Sequence, residues 1–500
     1  ASIAVTRNGE PVARKMISGT AGGFQPGDSI RFWGEIPEGR DALYVDRYRY
    51  RIEVDPGRAV AAEDAGAPAP GTSESFYTQR LVQNADNAYN LASPLSDPWY
   101  AARLRADRNN TYQTTFTIGD DLVASQPGRV EVRVGGLTNF PADPDHHVRV
   151  AVNGVEVGEV FFEGQTIQLL DYALPAGLLV PGTNEVTVTA PGGTDAQFDI
   201  SLVDTIALEY AAALEVADDR LLMPAVPGTG NYRLTGLGGD AQVYAWTGQA
   251  LIEVDSERTV AYPNPDVMFR ADFEPGETVP RAVEFTALGE TADYWISTDA
   301  QLHRPSVVGG IGDNELFDNV GSADFLVIGH PAFLPLSDSE PHPLNDFLSL
   351  KRGEGWSPAV FDITALQAHY TGGMALPEAV NRFLADADDR FAYEHVLLVG
   401  GDSYDYTDNL GLGSISFIPT HYAATRFIPH TPSDARLADL DGDGLSDKAI
   451  GRWPVRTQGD LQAIVDKTIA WSNDPQVLSN AAFVTDTQDP SSGSFTGQAE

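Results

Sequence analysis

Cysteine is absent from the 500 residues, so disulfides, thiolate metal sites and a thiol nucleophile are excluded within this chain. Basic residues are scarce: 32 Lys plus Arg stand against 71 Asp plus Glu, giving a formal charge of −39. A field of that sign repels nucleic acid and anionic membranes, and it favours solubility and divalent cations. No run of 18 or more apolar residues occurs, so no helical membrane span is expected. The opening ASIAVTRNGE has neither an initiator methionine nor a signal-peptide pattern, which predicts a removed leader or an excised piece. No phosphate-cradling glycine loop with a Lys-Ser/Thr pair is present, and the histidines lack zinc-ligand spacing.

What is present speaks for packed β-rich cores. Hydrophobic residues make up 42% of the chain, and 48 glycines with 33 prolines supply many turns. Such a length predicts several domains. Residues 1–105 read as a β-rich N-terminal region, with a half-exposed strand expected over 44–54. Residues 106–212 carry alternating segments at 111–118, 129–134, 147–152, 184–190 and 198–210, the pattern of a β-sandwich or jelly roll. Asn153-Gly154 accepts positive φ at both positions and predicts a type I′ hairpin turn. Such a sandwich can contact glycans or a cell surface, although a spacer role is the stronger reading. Residues 213–300 suggest a small immunoglobulin-like β domain, with strands at 241–248, 250–256 and 292–298.

From residue 301 to 500 the period changes to that of an α/β domain. Short apolar runs at 324–330, 395–400, 447–452 and 481–486 alternate with helical patterns at 340–353, 376–389 and after Thr457. Strand, helix, strand, helix implies a parallel sheet with helices on its faces. Only a polar tail follows Asp486, so the last strand would lack its covering helix. The expectation is an α/β domain cut short after its fourth strand.

Ligands of open parallel sheets bind at the carboxyl ends of strands. The substrate-cleft candidates there are His330, Asp402 and Ser403, with Asp486 ending the fourth strand. Gly401-Asp402-Ser403 also matches the nucleophile block of GDS-type serine esterases, in which Ser403 would attack an ester. That family needs an Asp-x-x-His pair downstream, but after Ser403 only His421 and His430 occur, neither with Asp three residues before. The simpler reading makes Asp402 a loop cap. In a lone position at a strand end, His330 is more often a hydrogen-bonded loop residue than a catalyst. His146-His147 opens a strand and is expected on the sandwich rim.

The sharpest metal signal is DLDGDGLSD, residues 439–447. Asp439, Asp441, Asp443 and Asp447 offer hard oxygen ligands, and Gly444 sits where a calcium loop turns sharply. The twelfth position is Ile450 rather than an acidic residue, with Asp434 near enough in sequence to substitute. A structural Ca2+ site and a plain acidic turn are both open.

Several ordered segments carry a family resemblance. DFLVIGHPAF (324–333), FDITALQAHYTGGMALPEAVNRFL (361–384), HVLLVGGDSYD (395–405), IPTHYAATRF (418–427), SDKAIGRWPV (446–455) and VDKTIAW (465–471) occur together. Their order and spacing resemble the first half of a gingipain-type cysteine peptidase domain, family C25. Upstream, RFWGE (31–35), ESFYTQR (74–80), DPWYAARL (97–104) and DTIALEY (204–210) are similar to the N-terminal β modules of large secreted bacterial members. The resemblance implies a caspase-like parallel sheet, a secreted or surface-attached endopeptidase, and peptide or protein substrates. It also implies a Cys nucleophile, a His base in a Gly-His-Gly strand end, and backbone N–H groups holding the oxyanion. Neither Cys nor Gly-His-Gly occurs here, so the dyad is expected beyond Glu500 and this chain is expected to be inactive. Only Asp486 corresponds to a family feature, as a supporting carboxylate. A non-catalytic surface or adhesion protein on the same scaffold is the alternative.

Overall fold

The computed structural model describes residues 2–18, 23–65, 74–95, 97–141, 143–225, 229–254, 256–260, 281–288, 292–307, 316–318, 320–337, 339–425 and 428–473. The expected strand at 481–486, and Asp486 with it, lies outside the described residues.

Two β-sandwiches precede the α/β domain. In the first, strands Thr111–Ile118, Gly182–Thr189, His146–Val152 and Val155–Phe162 pair in that order. The facing sheet orders Ala102–Arg105, Ile200–Ala213, Gly128–Gly136 and Ile167–Leu174, and Phe76–Asn84 pairs with part of Ile200–Ala213. Period-2 alternation points Val130, Val132 and Val134 inward toward the other sheet's Val148, Val150, Val152, Val186 and Val188, all with 0% exposure. Asn153 and Gly154 have φ of 50° and 78°, the positive pair that the hairpin turn requires.

The second sandwich packs a five-stranded against a three-stranded sheet. Its edge strand is Glu63–Asp64, parallel to Leu251–Glu253. The first hundred residues therefore supply strands to both sandwiches. The strand expected over 44–54 forms only at Tyr50–Val54. Asp41–Leu43 is a 3-10 turn, because Leu43 and Tyr44 are buried with Met374 and Leu376 of the α/β domain instead of alternating on a sheet.

Among the described residues, that domain holds a four-stranded, all-parallel sheet. Its strands are β1 (Phe325–Gly329), β2 (Pro358–Asp362), β3 (His395–Val399) and β4 (Ala449–Trp453), in spatial order β2-β1-β3-β4. Side chains alternate between two helical layers. Leu326, Ile328, Val396 and Leu398 face α2 (Ile363–Tyr370) and α3 (Glu378–Asp388). Val327, Leu397 and Val399 face α1 (Pro343–Gly353) and α4 (Gln458–Asn473). α3 buries Val380, Phe383 and Leu384 completely, each contributing about 1.5–3 kcal/mol of transfer free energy. α4 starts on a reciprocal cap: Asp460 N–H donates to Thr457 Oγ1 (3.1 Å), and Thr457 N–H donates to the Asp460 carboxylate (2.9 Å).

Candidate active-site face

The parallel sheet brings His330, Asp362, the Gly400–Ser403 turn and Pro454 to one edge, the carboxyl ends of its strands. Here strand alternation ends and free backbone groups need new partners.

Asp402 is the organiser of that edge. Its carboxylate accepts from Ser403 N–H (2.8 Å), Ser416 Oγ (2.6 Å), Tyr406 OH (2.8 Å) and Thr420 N–H (3.0 Å). Burial pushes its pKa up, against the hydrogen bonds from Ser416 and Tyr406 that favour the anion. All four partners belong to the loop that follows β3, so the carboxylate folds that loop back on itself. The Ser403 hydroxyl bonds Ser414 Oγ and accepts Asp405 N–H at 3.1 Å. Among the described residues no histidine bonds it. His421 lies against Arg40 and is pushed down to about 3 by burial and the Arg40 and Arg436 charges. His430 Nε2 lies 2.8 Å from Leu95 O. The serine-esterase arrangement therefore lacks its base here.

His330 closes β1, and its Nδ1 accepts Ala332 N–H at 3.1 Å. Its ring meets Phe417 edge-on at 5.0 Å, and burial holds its pKa below the usual imidazole range against the pull of Asp362. Such a neutral ring serves as a hydrogen-bonded strand cap.

Two elements of this edge escaped sequence reading. The first is Arg452 of β4, whose guanidinium bonds both Asp434 oxygens (2.8 and 2.7 Å), Gly400 O (2.9 Å) and Ile418 O (2.7 Å). Its signal was an arginine inside a short apolar strand, a position that demands several acceptors. Asp434 is thereby committed to Arg452, and its carboxyl stays below the usual range because that partner outweighs burial. The second is an N-terminal buttress. Tyr44 OH donates to Thr420 O (2.8 Å) and its ring meets Tyr406 at 4.6 Å. Tyr89 and Trp99 pack on Tyr404 at 4.4 and 6.1 Å. Nothing local in the sequence signals this long-range packing.

The acidic loop 439–447 lies before β4. Asp439, Asp441 and Asp447 each bring one carboxylate oxygen within 4.8 Å of the others. Asp443 stays outside this group, its Oδ1 accepting Leu445 N–H at 2.8 Å.

The fold is thus multidomain, with β-sandwiches ahead of a parallel α/β sheet flanked by helices. Residues 318–499 match the model for peptidase family C25, so the resemblance read from the sequence holds over that segment. The crystal structure of dimeric latent PorU from Porphyromonas gingivalis is similar over 95% of this chain, with a TM-score of 0.67 and 14% identity. At that identity the likeness is one of fold, and the chain spans 47% of that longer protein. A family 35 carbohydrate-binding module from Clostridium thermocellum matches 27% of this chain and 92% of its own, at 19% identity and a TM-score of 0.18. No curated protein matches the chain.

Proposed function

We propose that the chain is part of a secreted bacterial cysteine endopeptidase of the C25 type, cleaving peptide bonds in proteins. The observation that supports this most is the C25 match of residues 318–499, laid over a parallel sheet whose strand ends converge on one edge. In this reading the chain's own residues do the positioning. Asp402 and Arg452 hold the loops at the strand ends, and the β modules buttress them. The thiolate nucleophile and its His base belong to sequence outside these 500 residues.

The test is expression with and without the coding sequence that follows Glu500. The longer protein should cleave peptides and lose that activity on alkylation, while the 500-residue chain stays silent. Ser403→Ala in the longer protein should change turnover by less than about twofold and stability by about 0.5–1.5 kcal/mol, the worth of one hydrogen bond. Hydrolysis by the 500-residue chain that survives thiol blockers would overturn the reading. A longer protein without a Cys and a Gly-His-Gly would turn it toward a surface or adhesion protein on a peptidase frame.

The helical segments among the described residues include none long and apolar enough to cross a membrane. Any glycan or cell-surface contact falls to the β modules. A glycan array probed with the whole chain should stay blank, as the spacer reading of the sandwiches requires, and a specific signal would assign them a glycan contact instead.

A further inference from the structure

We propose that Arg49, Arg51 and His369 form a binding site for a phosphate oxyanion, set in the seam between the N-terminal strands and the α/β domain. The first support is a pocket of about 70 Å³ whose walls include Thr6, Arg49, Arg51, Arg58, His369 and Tyr370. A single water needs about 10–15 Å³, so there is room for a group of about five heavy atoms, the size of a phosphate. His330, Asp402 and Ser403 do not line it, so it is distinct from the strand-end edge. Three guanidiniums on one small pocket stand out in a chain of formal charge −39.

The second support is an inverted strand. Strand Tyr50–Val54 pairs antiparallel with Ile3–Arg7 and sets Arg51 opposite Thr6. By the strand period, residues 49, 51 and 53 share one face, and the pocket places that face toward the last turn of α2. Ile52 and Val54, on the other face, are 56% and 78% exposed, while the Arg51 side chain is 31% exposed. Hydrophobic sorting alone would place them the other way round. Such a local conflict marks a position where charge is wanted for function.

The positive charge is not all neutralised from within. Arg58 is committed, pairing with Glu53 (3.1 Å) and Asp55 (2.8 Å). Glu53 reaches Arg51 only at 3.9 Å, and among the described residues no ion pair engages Arg49. The backbone of Arg49 is nonetheless anchored, its N–H donating to Met374 Sδ (3.4 Å). Its guanidinium lies against the Gly372-Gly373 turn, where a Cβ on Gly373 would meet Nη1 at 2.7 Å. Arg382 ties the two walls together: its Nη1 donates to Asn8 O (3.0 Å) and to Tyr370 O (3.0 Å). His369 is held below the usual imidazole range by burial and the Arg51 charge, against the pull of Asp386. A neutral ring offers one N–H to an anion without adding to the repulsion. Asp386 itself accepts Tyr370 OH at 2.8 Å.

Guanidinium forks match phosphate oxygens with paired N–H donors. A dianion answers both Arg49 and Arg51, where one carboxylate would leave a charge uncompensated. The pocket is open at Gly372, where a Cβ would meet nothing within 4 Å, so free phosphate and the phosphate of a larger ester both fit. The bound anion would bridge strand Tyr50–Val54 and α2 and stabilise their docking by mass action.

The experiment is calorimetric titration of the whole chain with sodium phosphate, with glycerol phosphate and, at matched ionic strength, with sodium acetate, followed by melting curves. The wild type should bind phosphate saturably, about tenfold or more tighter than acetate, and melt higher when loaded. Arg49→Gln and Arg51→Gln should each weaken phosphate binding by about tenfold, the loss of a charge-assisted contact, and Arg47→Gln should stay within about twofold. Arg47 is the control because its side chain is 81% exposed, paired with Asp46 at 2.8 Å and outside the pocket. Arg49 is exposed, so its variant should keep the wild-type melting temperature without phosphate. Tighter binding of glycerol phosphate assigns the site to phosphomonoesters, and tighter binding of inorganic phosphate assigns it to the free ion. No saturable phosphate binding, acetate binding as tight as phosphate, or unchanged affinity in Arg49→Gln would overturn the proposal.

Discussion

Arg452→Ala is expected to destabilise the α/β domain by about 3–5 kcal/mol at pH 7, the cost of removing one partner from a buried pair. The side chain is 11% exposed and spans three segments at once. Its fork holds both oxygens of Asp434, which itself accepts Thr420 Oγ1 at 2.8 Å, and its other nitrogen serves two carbonyls at the turn after β3. Truncation strands a carboxylate and two carbonyl oxygens. Arg452→Lys should recover less than half the loss, since one ammonium cannot replace a bidentate fork. The pH dependence has a definite sign. Asp434's folded pKa is depressed, so its contribution is present above the unfolded carboxylate range and is lost as pH falls through the folded value. In Arg452→Ala, protonation of Asp434 relieves the unpaired charge, so the gap to wild type should narrow in acid. Denaturant unfolding, with hydrogen exchange at β3 and β4 as the local readout, checks both. A gap under about 1 kcal/mol at pH 7 would show that solvent replaces the guanidinium freely.

The elements that were legible in the sequence share a feature: their pattern is local. The valine alternation of the first sandwich, the Asn153-Gly154 turn, the buried runs of β1 and β3 and the short, half-exposed run of β4 all encode a period or a turn chemistry within a few residues. β2 was missed because Pro358–Asp362 is short and opens with proline, which reads as a loop away from its neighbour β1. The N-terminal region was least legible, because its strands Glu63–Asp64 and Phe76–Asn84 pair with residues far along the chain. The acidic loop was legible as a donor set. Which aspartates converge depends on backbone amides that no spacing rule counts. His146 was misplaced on the sandwich rim. A histidine that opens a strand looks exposed until the carboxylates of Asp145 and Asp199 are seen around it.

His146→Gln is expected to cost about 3–5 kcal/mol near pH 6, with the gap narrowing as pH rises. The ring is 0% exposed and stacks on Phe162 at 4.7 Å. Nδ1 lies 3.0 Å from Asp199 Oδ1, while Nε2 lies 3.0 Å from Thr138 O and 3.3 Å from Asp145 Oδ1. Both nitrogens face acceptors, an arrangement that only the doubly protonated ring satisfies in full. Burial alone would push the pKa down, but the Asp199 bond, the Thr138 carbonyl and the two negative charges raise it above 6.5. Close packing leaves little room to relax. A Cβ on Gly136 would clash with Gly164 O and meet His146 Nε2 at 2.5 Å, so backbone and ring together leave room only for glycine. The sign follows from the raised pKa. The folded state binds a proton that the unfolded chain releases near pH 6.5, so the stabilisation is full below that value and is lost as pH rises through the folded pKa. Glutamine cannot titrate, so the variant's stability should be flatter over the same window. Comparing urea unfolding of wild type and variant from pH 6 to 9 cancels groups that titrate alike in both. A gap that stays constant across that range would mean the ring is neutral throughout, with Asp145 and Asp199 held by the Phe140, His147 and Gly164 backbone amides and the Ser201 hydroxyl.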